Sequence, residues 1–153
     1  FMLPMNISKL ISDEDIYEGR CFDLKWLKSN GLKISFKNNK LTARGFKSWL
    51  LNLLTPTTAS WNGHNASGWK KDIMSINGFD ERMQYGGQDR ELGERLFNYG
   101  IKSKQIRYSA ICVHLDHPRS YKTQESINKN LEIRKNIRSR NSTWTDHGIH
   151  KMF

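Results

Sequence analysis

Apolar residues recur at helical spacing in three stretches of this chain. From Asp89 onward, Leu92, Leu96 and Tyr99 fall three and four residues apart with Phe97 alongside, and Gly100 follows where a C-terminal cap belongs. This predicts a helix of about three turns, opened by the pair Gly86-Gly87. Between Ala43 and Leu54, Phe46, Trp49, Leu50, Leu53 and Leu54 form a second stripe, stopped by Pro56. Its plain reading is core; the alternative is a membrane-surface helix, because Arg44 and Lys47 flank the apolar face. A third, basic helix is predicted over residues 121–140, where Ile127, Leu131, Ile133 and Ile137 give an imperfect stripe. Ser12-Asp13-Glu14-Asp15 reads as a helix start, residues 22–27 as a buried segment, and Asn30-Gly31 as a turn. A short helix is expected over residues 70–76. The other period is two. Residues 101–115 alternate apolar and polar and then become apolar, through Ile106, Tyr108, Ala110, Ile111, Val113 and Leu115, which predicts a strand that becomes buried; Ile34-Ser35-Phe36 predicts a short one. Residues 57–71, polar and small with aromatics, have strand character entering a loop.

Length and composition narrow the class. At 153 residues with 37% hydrophobic and 26% charged positions, the chain suits one globular domain with a real core. No apolar run approaches a membrane span, and no signal-peptide pattern is evident. Cys21 and Cys112 are too few for a disulfide framework, which fits a reducing cytoplasm. The first residue, Phe1, indicates a chain that begins mid-sequence or has been processed. A net charge of +10 predicts anionic partners. Nucleotide diphosphates, anionic lipid headgroups and nucleic acid all qualify. No recognition-helix or RNA-binding motif accompanies the charge, so a nucleic-acid-binding domain is an alternative carried by charge and aromatics alone.

The candidate chemistry centres on Asn77-Gly78-Phe79-Asp80-Glu81, then Tyr85-Gly86-Gly87-Gln88-Asp89-Arg90-Glu91-Leu92. Gly86 and Gly87 permit left-handed backbone and close approach of a ligand to the main chain. Asp89 has two readings: a first-turn acid stabilised by the helix dipole, or a catalytic carboxylate beside a loop that admits substrate. Arg90–Glu94 and Glu91–Arg95 are expected as i,i+4 pairs on the outer face.

These residues, with Asn98-Tyr99-Gly100-Ile101-Lys102, resemble the acceptor-side half of a GT-A glycosyltransferase. The likeness is to family 2 enzymes of bacterial surface-polysaccharide synthesis and the related galactosyltransferase C-terminal domain. It covers residues 57–150. The resemblance implies a partial GT-A fold: α/β, a mixed sheet with flanking helices, the nucleotide-binding half lying outside this chain. It assigns Asp89 as the base that deprotonates an acceptor hydroxyl. The family's usual Trp and Glu are replaced by Tyr85 and Gln88, which leaves the acceptor open. Gly63, Asn65 and Ala66 fall where family members line the donor-sugar pocket, and with Trp61 beside them the expected substrate-binding set is Trp61, Gly63, Asn65, Ala66, Tyr85, Gly86, Gly87 and Gln88.

Cys112-Val113-His114-Leu115-Asp116-His117 is by itself a weak metal signal without a second cluster at zinc spacing. The resemblance extends to Arg107, Tyr108, Ala110, His114, Leu115 and His117. It implies that His114, and less directly His117, ligate a divalent cation, Mn2+ or Mg2+. The expected organisation is a connecting segment and variable helical insert over residues 1–56, a catalytic segment over 57–118, and a basic helix and tail over 119–153. The implied function is metal-dependent, inverting hexosyl transfer from a nucleotide sugar to a saccharide or lipid-linked acceptor. The implied location is cytoplasmic, with peripheral contact at the inner face of an anionic membrane and no nucleic acid. A non-catalytic sugar- or partner-binding remnant is the further alternative.

Overall fold

The computed structural model describes residues 1–57 and 60–150. Helix accounts for 47% and extended pairing for 2%, with no sheet among the described residues. This overturns the expected α/β mixed sheet of the GT-A kind. The reason lies in backbone partners. A strand needs a neighbour for its N–H and C=O groups. The segment around His114 finds one only in the first residues of the chain. His114 N–H donates to Phe1 O at 2.8 Å and Leu3 N–H to His114 O at 3.0 Å, an isolated parallel bridge between Met2 and His114. The period of two in that segment is nonetheless real, for Ile111, Val113 and Leu115 all pack on one core. The strand expected at Ile34–Phe36 is replaced by a 3-10 turn, Phe36–Asn38. There Asn38 Nδ2 donates to Lys33 O and Ser35 Oγ to Asn38 Oδ1, local bonds that compete with strand pairing. Residues 60–66 turn rather than extend, with Asn65 N–H donating to Asn62 O. Thr58 and Ala59, in the strand-like stretch, lie outside the described residues.

The chain forms two compact units, one of residues 1–57 with 105–118 and one of residues 58–104 with 119–153. The first holds α1 (Met5–Ser8), α2 (Asp13–Tyr17), α3 (Leu24–Ser29), α4 (Asn39–Thr42) and α5 (Gly45–Leu54). Ser12 opens α2 with a reciprocal capping box to Asp15, and Asp23 caps α3 through Lys25 N–H at 2.7 Å. α3 ends in a Schellman turn. Gly31 takes φ +94°, its N–H donates to Lys28 O, and Leu32 N–H donates to Leu27 O. The core is Leu3, Ile7, Leu27 and Leu41, so residues 1–11 supply two of its four buried side chains. The stripe on α5 is not core: Phe46, Trp49, Leu53 and Leu54 are exposed, and the buried α5 residue is Ser48.

The second unit holds α6 (Lys70–Ser75), α7 (Gln88–Asn98) and α8 (Gln124–Arg140) around Ile76, Leu92 and Leu96. α7 forms over the predicted stretch, and Gly100 and Ile101 close it with N–H bonds to Phe97 O and Leu96 O. Glu91 and Arg95 do not lie on an outer face. Both are fully buried. Arg95 donates to both Glu91 carboxylate oxygens and to the carbonyls of Ile76 and Gly78, so one guanidinium closes the turn that follows α6. Glu94 pairs with Arg134 of α8.

Candidate functional site

The glycine loop is shaped by α8. One buried amide, Asn130 Nδ2, donates to the carbonyls of Gln84, Tyr85 and Gly86 at 3.1, 3.2 and 2.9 Å. Ser126 Oγ adds a bond to Tyr85 O, and the Tyr85 ring meets Tyr121 edge-on at 4.9 Å. Gly86 and Gly87 take φ +112° and +91°, the left-handed region that glycine tolerates best. A side chain on Gly87 would also press on Arg134, whose Cδ lies 3.3 Å from where its Cβ would stand. Gln88 Oε1 accepts the Gly86 N–H at 3.0 Å, tying the helix start back onto the loop.

Asp89 follows in the first turn of α7. Its Oδ1 accepts Arg90 N–H at 2.8 Å and its Oδ2 accepts Gly63 N–H at 3.2 Å. Two donors leave capacity, since an ionised carboxylate offers about four lone-pair sites. Asp89 therefore fixes the 62–64 loop and can still accept a hydroxyl proton. Around it opens a cleft of about 540 Å³, a size suited to a small ligand. The Asn62–His64 loop, the Tyr85–Arg90 segment, and Ile127, Leu131 and Arg134 of α8 line it. The loop side offers polar backbone and the Asp89 carboxylate, and the α8 side the aliphatic Ile127 and Leu131 together with Arg134.

Of the substrate-binding residues expected from sequence, Gly63, Tyr85, Gly86, Gly87 and Gln88 meet Asp89 at this cleft. Trp61 packs instead against the Ile76–Leu92–Leu96 core. Its backbone runs so close to α7 that a Cβ on Gly93 would stand 2.9 Å from Trp61 N. Asn65 is half-buried and Ala66 exposed, and neither lines the cleft. Asn62, His64, Asn130 and Arg134 are additions that sequence reasoning did not single out as site residues. The signal for the last two was present: Ile127, Asn130, Leu131 and Arg134 share one face at i, i+3, i+4 and i+7.

Much of the Asn77–Asp80 motif is scaffolding for the tail. Asn77 sits in the left-handed region at φ +67° and ends α6. Its side chain donates to Thr145 O and His150 O and accepts His150 N–H. A Cβ on Gly148 would fall 1.8 Å from Asn77 O, so only glycine fits there. Asp80 accepts Thr145 Oγ1 at 2.7 Å and three nitrogens of Arg82, its backbone N–H and two of its guanidinium. Burial alone would raise the Asp80 carboxyl, but the Arg82 and Thr145 hydrogen bonds outweigh it and hold its pKa at about 2.

His114 and His117 belong to the first unit, with ring centroids 5.6 Å apart, and His117 Nδ1 lies 2.9 Å from Pro118 O. Among the described residues no group of three or more His, Cys, Asp or Glu side chains is arranged to hold a metal ion. His114 and His117 together offer two imidazoles, and a divalent ion held by them would complete its shell with water or substrate oxygens. No helix of the described residues is long and apolar enough to cross a membrane.

Over 69 residues the chain is 32% identical to the uncharacterized glycosyltransferase YfnE of Bacillus subtilis (strain 168). The match takes in 44% of this chain and 17% of that protein, so the chain spans less than a fifth of the relative's length. No family model matches, and no solved structure matches.

Proposed function

We propose that this chain contributes the acceptor-side site of a glycosyltransferase, with Asp89 as the general base. The observation that carries the reading is the carboxylate at the head of α7, held by Gly63 N–H in a cleft floored by Gly86 and Gly87. The similarity to a protein named a glycosyltransferase supports the same class. Asp89 takes the proton of an acceptor hydroxyl as that oxygen forms a bond to C1 of a nucleotide sugar. The bond from C1 to the diphosphate oxygen breaks, and its electron pair leaves with the nucleoside diphosphate. Attack opposite the leaving group inverts the anomeric carbon. The acceptor is a saccharide, free or lipid-linked, of the kind used in surface-polysaccharide synthesis. Its ring lies against Ile127 and Leu131 while its hydroxyls meet the Asn62–His64 loop. Glycine at 86 and 87 leaves room for the sugar to approach the backbone.

The test has two readouts. Titrating oligosaccharides into the labelled 1–153 chain should shift the amides of Gly63, Gly86, Gly87 and Asp89 in the NMR spectrum. Acceptor-dependent release of nucleotide from a panel of nucleotide sugars, measured in the whole protein, should fall about 10²–10⁴-fold in Asp89→Asn. Equal rates in parent and variant, or saccharide shifts that avoid the cleft, would overturn the assignment.

A further inference from the structure

α5 is built inside out. Ser48 and Asn52, four residues apart, point into the first unit and bind the 108–109 backbone and side chain. Ser48 Oγ donates to Tyr108 O at 2.6 Å, Asn52 Oδ1 accepts Tyr108 N–H at 2.9 Å, and Asn52 Nδ2 donates to Ser109 Oγ at 2.7 Å. Thr55 continues that stripe and bonds back to Leu51 O at 2.6 Å. The apolar stripe is left outside: Phe46 is 73% exposed, Trp49 55%, and Leu53 and Leu54 each 65%. Phe46 and Trp49 stack on each other at 5.4 Å, which presents them as one aromatic plate. A helix ordinarily turns its polar face to water and its apolar face to the core. One that does the reverse, anchored by specific hydrogen bonds, presents its apolar face to something else.

The surrounding charge identifies the occupant. Between Asp23 and Asp72 the chain has no acidic residue, while Lys33, Lys37, Lys40, Arg44 and Lys47 all lie in or just before α5. Arg20, Arg82, Arg95, Arg134 and Arg138 form ion pairs with carboxylates, and Lys33, Lys37, Lys40, Arg44 and Lys47 take no part in those pairs. Lys37 and Arg107 act on Lys40 as like charges. A protein core would disfavour such a rim. An anionic lipid surface answers both features, taking Trp, Phe and Leu at the level of the acyl boundary and cations among the headgroups.

We propose that α5 seats the first unit on an anionic membrane, with Phe46, Trp49, Leu53 and Leu54 inserted and Arg44 and Lys47 on the headgroups. This is independent of the reaction assigned to Asp89. The experiment is sedimentation of the 1–153 chain with vesicles of phosphatidylcholine alone or mixed with phosphatidylglycerol, alongside size-exclusion chromatography. The parent should bind the mixed vesicles at least tenfold more tightly than the neutral ones. Trp49→Ser/Leu53→Ser should lose at least tenfold, and Arg44→Gln/Lys47→Gln should weaken binding and flatten its salt dependence. Trp49→Phe, which keeps the apolar face, should retain binding but lose most of the fluorescence quenching caused by brominated lipids. No binding to phosphatidylglycerol vesicles overturns the proposal. So does unchanged binding in Trp49→Ser/Leu53→Ser, or undiminished quenching in Trp49→Phe. A parent that dimerises without lipid, with the serine variant monomeric, overturns it in favour of a second copy as occupant.

Discussion

At the scale of single residues, the Asn-Gly-Phe-Asp stretch shows how a motif can be visible while its reason is not. The sequence marks Asn77, Gly78 and Asp80 as a unit with the helix that follows. Their physical work is done at residues 145–150, nearly seventy positions away, where Thr145 and His150 complete the bonds. No local pattern carries that pairing. Asp80 makes it testable. Its carboxyl has a folded pKa of about 2 against an ordinary value of 3.8, so it is a depressed group. The stability it adds is present above the ordinary value and is lost as pH falls through about 2. The shift corresponds to on the order of 2 kcal/mol at neutral pH. Asp80→Asn should therefore lower the urea-unfolding free energy by about that much at pH 7, and the gap to the parent should narrow between pH 4 and pH 2. Parallel curves across that range would show that the bonds of Asp80 to Arg82 and Thr145 carry no such linkage. Asp89 was legible in another way: its position at the head of a glycine-opened helix is a local fact, and the structure puts it at a cleft with five of the expected neighbours.

At the scale of elements, period alone found α7, α8 and α5 but misjudged what their faces meet. The i,i+4 spacing of Glu91 and Arg95 reads the same whether the pair faces water or core. The decision comes from the carbonyls of Ile76 and Gly78, to which Arg95 donates. The period-two segments fail for the complementary reason, since alternation shows which side chains face inward and not whether a neighbouring strand exists. Arg95→Leu should be among the most damaging changes in the second unit. It strands the buried Glu91 carboxylate and removes a donor from two buried carbonyls, at a cost of about 3–5 kcal/mol. The double variant Glu91→Leu/Arg95→Leu should recover part of that, because the lone charge goes while the orphaned carbonyls remain. Thermal unfolding of the two variants decides it. If the double variant is no more stable than Arg95→Leu, the loss comes from the carbonyls alone and not from the carboxylate.

At the scale of the whole molecule, the net charge of +10 was plain from composition, but its uneven placement matters more than its size. The cations of the second unit are partly neutralised: Arg134 and Arg138 approach Glu94, Arg82 meets Asp80 and Arg95 meets Glu91. Among the described residues, Lys33, Lys37, Lys40, Arg44 and Lys47 stand in none of these pairs, and Lys40 carries the strain of that arrangement. Burial pushes its ammonium below the ordinary lysine value, and the like charges of Arg107 and Lys37 push the same way. The sign follows directly. A lysine with a lowered folded pKa costs stability wherever it is protonated in both states, and the cost disappears only once pH exceeds the ordinary value of 10.5. Lys40→Met keeps the aliphatic stem and removes the charge, so it should raise Tm at neutral pH. The gain has two parts that salt separates. Repulsion from Arg107 and Lys37 is screened as the Debye length falls from about 10 Å at 0.1 M to about 3 Å at 1 M, whereas the burial part is not. The Tm advantage should therefore shrink with added sodium chloride without vanishing. A variant less stable than the parent at every salt concentration would mean that the Lys40 ammonium is satisfied where it stands. The unneutralised charge around α5 would then be smaller than the sequence suggests.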